Sequence, residues 1–318
     1  MPKIVILERE TIGLDVSVDC INELGEVTIY PVSTAENAAE RVKDADIIIA
    51  NKCPLNAENL ENARNVKLIC EFATGYDNID IEYCRKRGIK VTNVRNYSTA
   101  AVTQHTFALC FYILCKLRHY DDFVKSGAYG AQWNFSSFDL PFYELDGKTW
   151  GIIGMGHIGS SVAKVAASFG CRVIFFSPTG KSECTEYEKV SFDELVSQSD
   201  FLSLHCPLSD LTRGLIDMVA LKKMKSSAIL INVARGPVVN DEDLYHALCE
   251  NIIAGAGLDV TSTEPMKDSN PLSRFMDSNR LIITPHNAWA SVEARNRVVK
   301  ETYENIAAFL RGEDRCLV

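Results

Sequence analysis

Three side chains in the second half of the sequence have types that can act together on a 2-oxo acid: Arg235, Glu264 and His286. The guanidinium of an arginine binds a carboxylate through two parallel hydrogen bonds and can polarise a neighbouring carbonyl. A histidine can give or take a hydroxyl proton near neutral pH. A glutamate hydrogen-bonded to that histidine would fix its tautomer and favour the imidazolium. Interconversion of a carbonyl and a hydroxyl group beside a carboxylate is the chemistry that this set predicts.

Each of these residues also has an ordinary structural interpretation, which the sequence alone leaves open. Arg235 can cap strand ends or pair with Asp241. Glu264, which precedes a proline, can be a solvated turn residue, and His286 can be a core histidine. The chemical hypothesis therefore depends on whether the fold brings the three side chains together.

A glycine-rich segment indicates which fold could do so. Gly154-Met-Gly-His-Ile-Gly159 has the G-x-G-x-x-G spacing, follows a buried strand pattern at 149–153 and precedes a helical pattern at 160–169. With a second strand pattern at 172–176, this is the opening of a dinucleotide-binding βαβ unit. The alternative is a merely structural glycine turn.

The residues of that segment have distinct expected tasks. Gly154 would allow the tight turn, Gly156 would let the backbone approach a pyrophosphate, and Gly159 would let the helix pack closely on the sheet. The amides of His157 and Ile158 would lie at the helix N-terminus, where the helix dipole favours an anion.

Six strand patterns start with this segment and alternate with helical patterns, which predicts a doubly wound parallel sheet. They lie at 149–153, 172–176, 201–205, 228–232, 253–259 and 281–284. The candidate polar segments follow the carboxyl ends of the later strands: Ser177, His205-Cys206-Pro207, Val233-Ala234-Arg235, Asp259 and His286. Because the carboxyl ends of parallel strands share one edge, Arg235, Glu264 and His286 can meet there.

Some conspicuous residues are expected to be structural instead. His105 and His119 fall in a helical region, and His205 should contribute backbone and packing more than chemistry. Gly255-Ala-Gly257 resembles a second glycine motif, but no helix follows it, so close packing of the strand is expected.

The first 98 residues predict a smaller α/β unit with a parallel sheet. Strand patterns lie at 3–7, 46–50, 66–72 and 90–93, with a helix at 81–87 that ends at Gly88. A long apolar helix should run from Ser98 or Thr99 to Leu117. Residues 119–147 read as irregular and aromatic-rich, either an arm packed on another surface such as a second subunit or a loop packed on its own domain. The last helical pattern, 292–310, should return to the first domain.

Composition limits the functional classes. A chain of 318 residues suggests two domains, and a net charge of −9 without a basic cluster argues against nucleic-acid binding. The eleven cysteines show no metal-binding spacing, which predicts no metal site and reduced thiols in the cytoplasm. The N-terminus reads as a strand and not as a signal peptide, and the longest apolar stretch, 106–115, is too short to span a membrane.

Over its whole length the sequence resembles the D-isomer-specific 2-hydroxyacid dehydrogenases. The resemblance rests on Gly154–Gly159, Val233-Ala-Arg-Gly236, Leu258-Asp-Val260 with Glu264-Pro265, and Thr284-Pro-His286. It implies a Rossmann domain, 99–286, inserted in a smaller flavodoxin-like catalytic domain, 1–98 with 287–318, and an active site in the cleft. It also implies a homodimer joined through the cofactor domain.

The resemblance also implies roles for individual residues. Arg235 would bind the substrate, His286 would be the acid/base and Glu264 its partner, with substrate contacts from the backbone of Thr74 and Gly75. The implied cofactor contacts, together with the segments named above, are Thr103, Gly154, Gly156, His157, Ile158, Gly159, Ser177, His205, Cys206, Pro207, Thr212, Val233, Ala234, Arg235, Asp259 and His286.

Within the family the chain looks most like the glycerate dehydrogenases, also called hydroxypyruvate reductases, on 73–77, 97–104 and 286–289. Hydroxypyruvate and glyoxylate are thus the first expected substrates, and a D-lactate-type dehydrogenase or a dinucleotide-sensing corepressor-like protein is the alternative. Ser177 stands where NAD-dependent members usually carry Asp, and Lys181 is the only close cation in sequence. We therefore expect NAD with weak discrimination against NADP.

Overall fold

The computed structural model describes residues 1–318, which divide into two compact units. Residues 1–98 and 290–318 form one, here called the terminal unit, and residues 99–289 form the other, the central unit. The second junction lies after Trp289, whereas the sequence placed it after His286. Asn287 and Ala288 donate their amides to the carboxylate of Asp259, which keeps them with the central unit.

The terminal unit contains a five-stranded parallel sheet in the order β2-β1-β3-β4-β5, the flavodoxin-like order. Its strands are β1 (Lys3–Ile6), β2 (Glu26–Ile29), β3 (Ile47–Ala50), β4 (Leu68–Glu71) and β5 (Lys90–Thr92). Its first helices are α1 (Ala35–Val42), α2 (Ala57–Leu60) and α3 (Ile81–Arg87). Every residue of β3 and β4 is buried, as expected for inner strands of a parallel sheet covered on both faces. Gly88 ends α3 in the left-handed conformation, as the sequence predicted.

The central unit is a doubly wound sheet of seven parallel strands in the order β12-β11-β10-β9-β6-β7-β8. The strands are β6 (Thr149–Ile153), β7 (Arg172–Phe176), β8 (Glu188–Lys189), β9 (Phe201–Leu204), β10 (Ile229–Asn232), β11 (Gly255–Leu258) and β12 (Leu281–Ile283). The helices are α4 (Thr99–Leu114), α5 (Leu117–Lys125), α6 (Ala128–Ala131), α7 (His157–Ser168), α8 (Phe192–Gln198), α9 (Met218–Lys223) and α10 (Asp241–Cys249). The two-residue edge strand β8 is the strand of this sheet that the sequence pattern did not predict.

Helix α4 lies very close to strand β11. A Cβ atom at Gly257 would lie 2.8 Å from Cβ of Leu109, and one at Gly255 would lie 2.9 Å from Cγ2 of Ile113. Real Cβ atoms are not found at such distances, so Gly257 is needed for the helix to approach the strand. Gly255 meets the helix and also the Arg280 carbonyl oxygen, which would lie 2.6 Å from a Cβ there. The expectation of close packing at Gly255-Ala-Gly257 is confirmed.

The segment expected to be irregular from residue 119 is partly helical, and that prediction was wrong for α5 and α6. Lys116 adopts a left-handed conformation, with φ +53°, between α4 and α5. Helices α4 and α5 meet at an angle of 60°. No single helix is long and apolar enough to cross a membrane. Only α4 and α5 taken together have the length and composition of a membrane-spanning helix, and they are bent. Beyond α6, the side chains of Trp133, Phe135 and Phe138 are 96%, 86% and 83% exposed. These three side chains do not pack on their own domain, whereas the ring of Phe142 contacts that of Tyr120, with centroids 6.4 Å apart.

The last helix, α11 (Val292–Leu310), belongs to the terminal unit and packs against β4. Its first turn is capped by Ser291, whose hydroxyl accepts the Ala294 amide at 3.2 Å. The residues after α11 extend the sheet: Leu317 forms an antiparallel bridge with Thr92, and the Val318 amide donates to the Val91 carbonyl at 3.1 Å. The end of the chain thus completes the sheet that its beginning starts.

Candidate active site

His286 and Glu264 form a hydrogen-bonded pair beyond the carboxyl ends of β12 and β11. Nδ1 of His286 lies 2.9 Å from Oε2 of Glu264, and Oε1 of Glu264 accepts the Thr261 amide at 3.3 Å. Because an ionised carboxylate can only accept, Nδ1 of the histidine carries the hydrogen. The other ring nitrogen, Nε2, is then the atom at which a transferable proton can be held or taken up.

The main chain at His286 is held in an uncommon conformation. Its φ is +55°, in the left-handed region that costs a non-glycine residue energy. The His286 amide donates to the carbonyls of Asp259 and Thr284 at 2.8 and 3.0 Å. The Asp259 carboxylate accepts the amides of Asn287 and Ala288, both at 2.8 Å. One buried aspartate thus fixes the turn that carries His286.

Asp259 holds its negative charge in this place. Burial would raise the pKa of its carboxyl group, but hydrogen bonds from His105, Thr284 and the Ala288 and Asn287 amides lower it below the usual value. The group is 1% exposed, so its charge is compensated by these donors and not by water.

Arg235 follows β10 in a turn braced by Asn232, a residue that the sequence analysis did not single out. The side chain of Asn232 is fully buried; its Oδ1 accepts the Ala234 amide and its Nδ2 donates to the Arg235 carbonyl, both at 3.0 Å. A Cβ at Gly236 would lie 1.8 Å from the carbonyl oxygen of Thr261. The turn that carries Arg235 therefore packs directly against the loop that carries Glu264. Only the position of Asn232 at a strand end could have indicated this role.

The glycine segment has the geometry of a site for a bulky anion. Gly154 has φ +93°, and a Cβ there would lie 2.8 Å from the Cys206 amide nitrogen, while a Cβ at Gly159 would lie 2.1 Å from the Gly154 carbonyl oxygen. A Cβ at Gly156 would meet no atom within 4 Å, so this glycine borders open space. Helix α7 starts at His157 without a side-chain cap, which leaves its first amides available to a ligand. These residues fit the pyrophosphate of a dinucleotide.

The residues predicted along β9 and the loop after it are mostly engaged within the protein. Burial lowers the pKa of His205 to about 3, so its ring is neutral, and Nε2 lies 3.0 Å from the Ser203 hydroxyl. Burial also raises the pKa of the Cys206 thiol to about 11. Thr212 accepts the Ser209 amide at 2.8 Å and donates to the Pro207 carbonyl at 2.7 Å, which closes the loop. The side chain of His205 has a structural place, as the sequence suggested.

The remaining predicted coenzyme residues flank the same sheet edge. Thr103 is buried on α4, where its hydroxyl donates to the Thr99 carbonyl at 2.8 Å, and Val233 and Ala234 lie in the turn before Arg235. No group of three or more His, Cys, Asp or Glu side chains is arranged to hold a metal ion.

The turn after β7 carries no carboxylate but is bordered by two lysines. Ser177 is buried at its start, and the Gly180 amide closes the turn on the Ser177 carbonyl at 2.9 Å. Lys181 is exposed, and Lys189, on the edge strand β8, donates its ammonium group to the Gly180 carbonyl at 2.9 Å. The sequence analysis considered Lys181 alone, because the contact of Lys189 depends on the pairing of β7 with β8.

In the terminal unit, the candidate substrate residues Thr74 and Gly75 follow β4. The Thr74 hydroxyl donates to the Val94 carbonyl at 2.6 Å, and the Thr74 carbonyl accepts from Nδ2 of Asn93 at 2.7 Å. Neither the Thr74 nor the Gly75 amide donates to an acceptor in the chain. These amides are therefore available to an anionic ligand.

Replacing Glu264 by glutamine should shift the pH dependence of turnover. The glutamine side chain keeps an acceptor for Nδ1–H but removes the charge that stabilises the imidazolium. The carbonyl reduction expected from the sequence needs the protonated ring, so the fall in rate at high pH should move to lower pH. Initial rates across a pH series measure this. Glu242→Gln, which removes the charge from the surface pair Glu242–His246 at 3.3 Å, is the matched control. An unmoved profile in Glu264→Gln would show that the pair does not control the proton.

The chain is similar in sequence to known proteins of one family. The profile of the D-isomer specific 2-hydroxyacid dehydrogenase NAD binding domain matches residues 107–288. A hydroxypyruvate reductase of Blautia hydrogenotrophica is 37% identical over 318 residues, covering 98% of this chain and 97% of its own length. A glycerate dehydrogenase of Methylorubrum extorquens is 38% identical over 317 residues, covering 99% and 98% of the two chains.

A solved structure extends the likeness to the whole fold. The acyclic imino acid reductase Bsp5, in complex with NADPH and D-Arg, superposes with a TM-score of 0.89 at 31% identity over 99% of both chains. The match of the NAD binding domain and the full-length identity to two relatives lead to one conclusion: the chain belongs to the D-isomer-specific 2-hydroxyacid dehydrogenase family.

Proposed function

We propose that the chain reduces a small 2-oxo acid, hydroxypyruvate first and glyoxylate second, to the D-2-hydroxy acid with NADH or NADPH. The observation that carries this proposal is the His286–Glu264 pair, at 2.9 Å, on the sheet edge where the open glycine turn lies. The substrate class is supported by the names of the relatives from Blautia hydrogenotrophica and Methylorubrum extorquens.

In this proposal the residues of the chain divide the work. A bound nicotinamide coenzyme supplies the hydride. The Arg235 guanidinium binds the carboxylate of the substrate. The terminal unit, taken by itself, offers the Thr74 and Gly75 amides as donors to an anion. Nε2 of His286 gives its proton to the carbonyl oxygen, while Glu264 keeps the hydrogen on Nδ1 and stabilises the charged ring. Arg235, Glu264 and His286 are the catalytic residues.

The decisive experiment is a substrate panel on the purified chain. Hydroxypyruvate, glyoxylate, pyruvate and a larger 2-oxo acid are each tested with NADH and with NADPH by absorbance at the coenzyme band. Turnover should be highest with hydroxypyruvate, and the product should be the D isomer. Absence of turnover with every 2-oxo acid would refute the proposal. Coenzyme binding without turnover, with a protein partner recovered in a pull-down, would favour the corepressor-like alternative.

Ser177→Asp should lower kcat/KM for NADPH far more than for NADH. A carboxylate at this position would accept hydrogen bonds from the ribose hydroxyls and repel a 2′-phosphate. The unmodified chain offers a hydroxyl at Ser177 and the cations Lys181 and Lys189, so we expect both coenzymes to be used, with NADH first. The selectivity of the variant for NADH should rise by at least about tenfold, or 1.4 kcal/mol.

Comparison of kcat/KM for NADH and NADPH on the unmodified chain checks whether NADH is the preferred coenzyme. Lys189→Met and Lys181→Met serve as the paired variants. A preference for NADPH beyond about tenfold in the unmodified chain would overturn the ordering. If that preference for NADPH disappears in only one of the two lysine variants, the replaced lysine is the cation that binds the 2′-phosphate.

We also infer a cytosolic homodimer. The exposed aromatic side chains of residues 133–138 support association through the central unit, because so much apolar surface is seldom left to water. All eleven cysteines are free, which supports a reducing compartment. Light scattering of the purified chain measures the mass, and a monomer at micromolar concentration would contradict the inference.

A further inference from the structure

Residues of helix α4 at intervals of four contact residues of strand β11 at intervals of two. Leu109 packs on Gly257 and Ile113 packs on Gly255, so four helix residues correspond to two strand residues. Four helix residues rise about 6 Å and two strand residues rise about 6.6 Å, so the contacts between α4 and β11 repeat along both elements. One further step brings His105 to Asp259. A histidine that the sequence assigned a merely structural place thus lies beside the aspartate that fixes the His286 turn.

The hydrogen bonds of His105 have a defined direction. Oγ1 of Thr284 lies 2.5 Å from Oδ1 of Asp259, and Nε2 of His105 lies 2.9 Å from the same hydroxyl and 3.4 Å from Oδ1. A hydroxyl has one hydrogen, and the ionised carboxylate can only accept, so the Thr284 hydrogen points to Asp259. His105 must therefore donate from Nε2. The arrangement needs a donor at this position.

The cluster of His105, Thr284 and Asp259 acts on the main chain of His286. Asp259 receives the amides on the C-terminal side of His286 through its side chain, and its carbonyl accepts the His286 amide itself. A residue with φ +55° keeps that conformation only where its surroundings over-determine it. Without His105 the Thr284 hydroxyl loses the donor at 2.9 Å and the buried carboxylate loses the one at 3.4 Å, which weakens the hydrogen bonds that hold the turn.

We propose that His105 is a positioning residue for catalysis: through Thr284 and Asp259 it holds the strained turn that aims Nε2 of His286 at the substrate oxygen. The proposal deepens the proposed function and rests on it for the direction of proton transfer. His105 touches neither substrate nor the reacting atoms in this role.

Two variants of His105 separate the effect of its hydrogen-bond donor from the effect of the volume of its side chain. His105→Leu removes the donor, and we expect kcat to fall about tenfold or more, as for loss of a hydrogen bond to a charged group. The solvent deuterium isotope effect on kcat should rise, because a misplaced His286 makes proton transfer slower. His105→Gln keeps an amide donor near the position of Nε2 and should recover most of the rate. His246→Leu, the same change on the surface of α10, should leave kcat and the isotope effect unchanged.

A second measurement does not depend on turnover. The downfield Nδ1–H proton resonance of His286, identified by its loss in His286→Ala, should weaken in His105→Leu and return in His105→Gln. An unchanged resonance in His105→Leu overturns the proposal, as does a fall in kcat without a change in isotope effect. Absence of turnover in the unmodified chain, with the resonance changing as expected, counts against the proposed function alone.

Discussion

Replacing His286 by alanine is expected to lower kcat by roughly 10²–10⁴-fold, the usual contribution of a positioned acid or base. Nε2 of His286 is the atom at which the chain can hold the proton, because Nδ1 is engaged with Glu264 at 2.9 Å. Coenzyme affinity should change little, because the glycine turn and the amides of α7 remain. The rate should also lose the pH dependence that a titrating acid imposes.

Steady-state kinetics and fluorescence titration with NADH measure the two quantities separately. His246→Ala, on the exposed face of α10, is the control for removing a histidine from the central unit. Near-normal turnover in His286→Ala would remove this residue from the acid/base role, whatever the substrate is.

Arg235→Ala is expected to damage both KM and kcat. A bidentate contact joins two charge-assisted hydrogen bonds, each worth about 1.5–3 kcal/mol, so kcat/KM for the 2-oxo acid should fall roughly 10²–10⁴-fold. Because the guanidinium holds the carboxylate in the ground state and in the transition state alike, the loss should divide between the two constants. Arg235→Lys should recover only part of the lost kcat/KM, since an ammonium group lacks the two parallel N–H donors of the planar guanidinium.

The test pairs each variant with Arg274→Ala, which removes an exposed arginine from the same unit. Kinetics with hydroxypyruvate and with an uncharged carbonyl compound separate carboxylate binding from other effects: the variant should lose its preference for the acid. A kcat/KM for hydroxypyruvate close to that of the unmodified chain would contradict the assignment of Arg235.

The sequence predicted the strands that carry strong apolar patterns and missed those that do not. All six strands expected after residue 149 are present, but β8 has only two residues, Glu188 and Lys189, and both are exposed. In the terminal unit β2 was missed, because its residues are mostly exposed at a sheet edge. An edge strand paired on one side buries too little apolar surface to leave a periodic pattern.

The candidate site was predictable where chemical type and strand position coincide. The hydrogen bond between His286 and Glu264 follows from two residues placed after neighbouring strands. The brace of Asn232, the contact of Lys189 and the place of His105 were not predictable in this way. Each depends on how two elements are aligned with one another, as α4 is with β11. A local sequence pattern carries no information on such an alignment.

The discontinuity of the terminal unit bears on how the molecule is made. Residues 99–289 are contiguous and hold their own core, so this unit can fold while the ribosome is still at work. The terminal unit starts first but lacks α11 and the bridge from Leu317 to Thr92 until residues 292–318 emerge. Synthesis therefore completes the two units in the reverse of the order in which it begins them, and the β1–β5 sheet stays partly uncovered until residues 292–318 have been made.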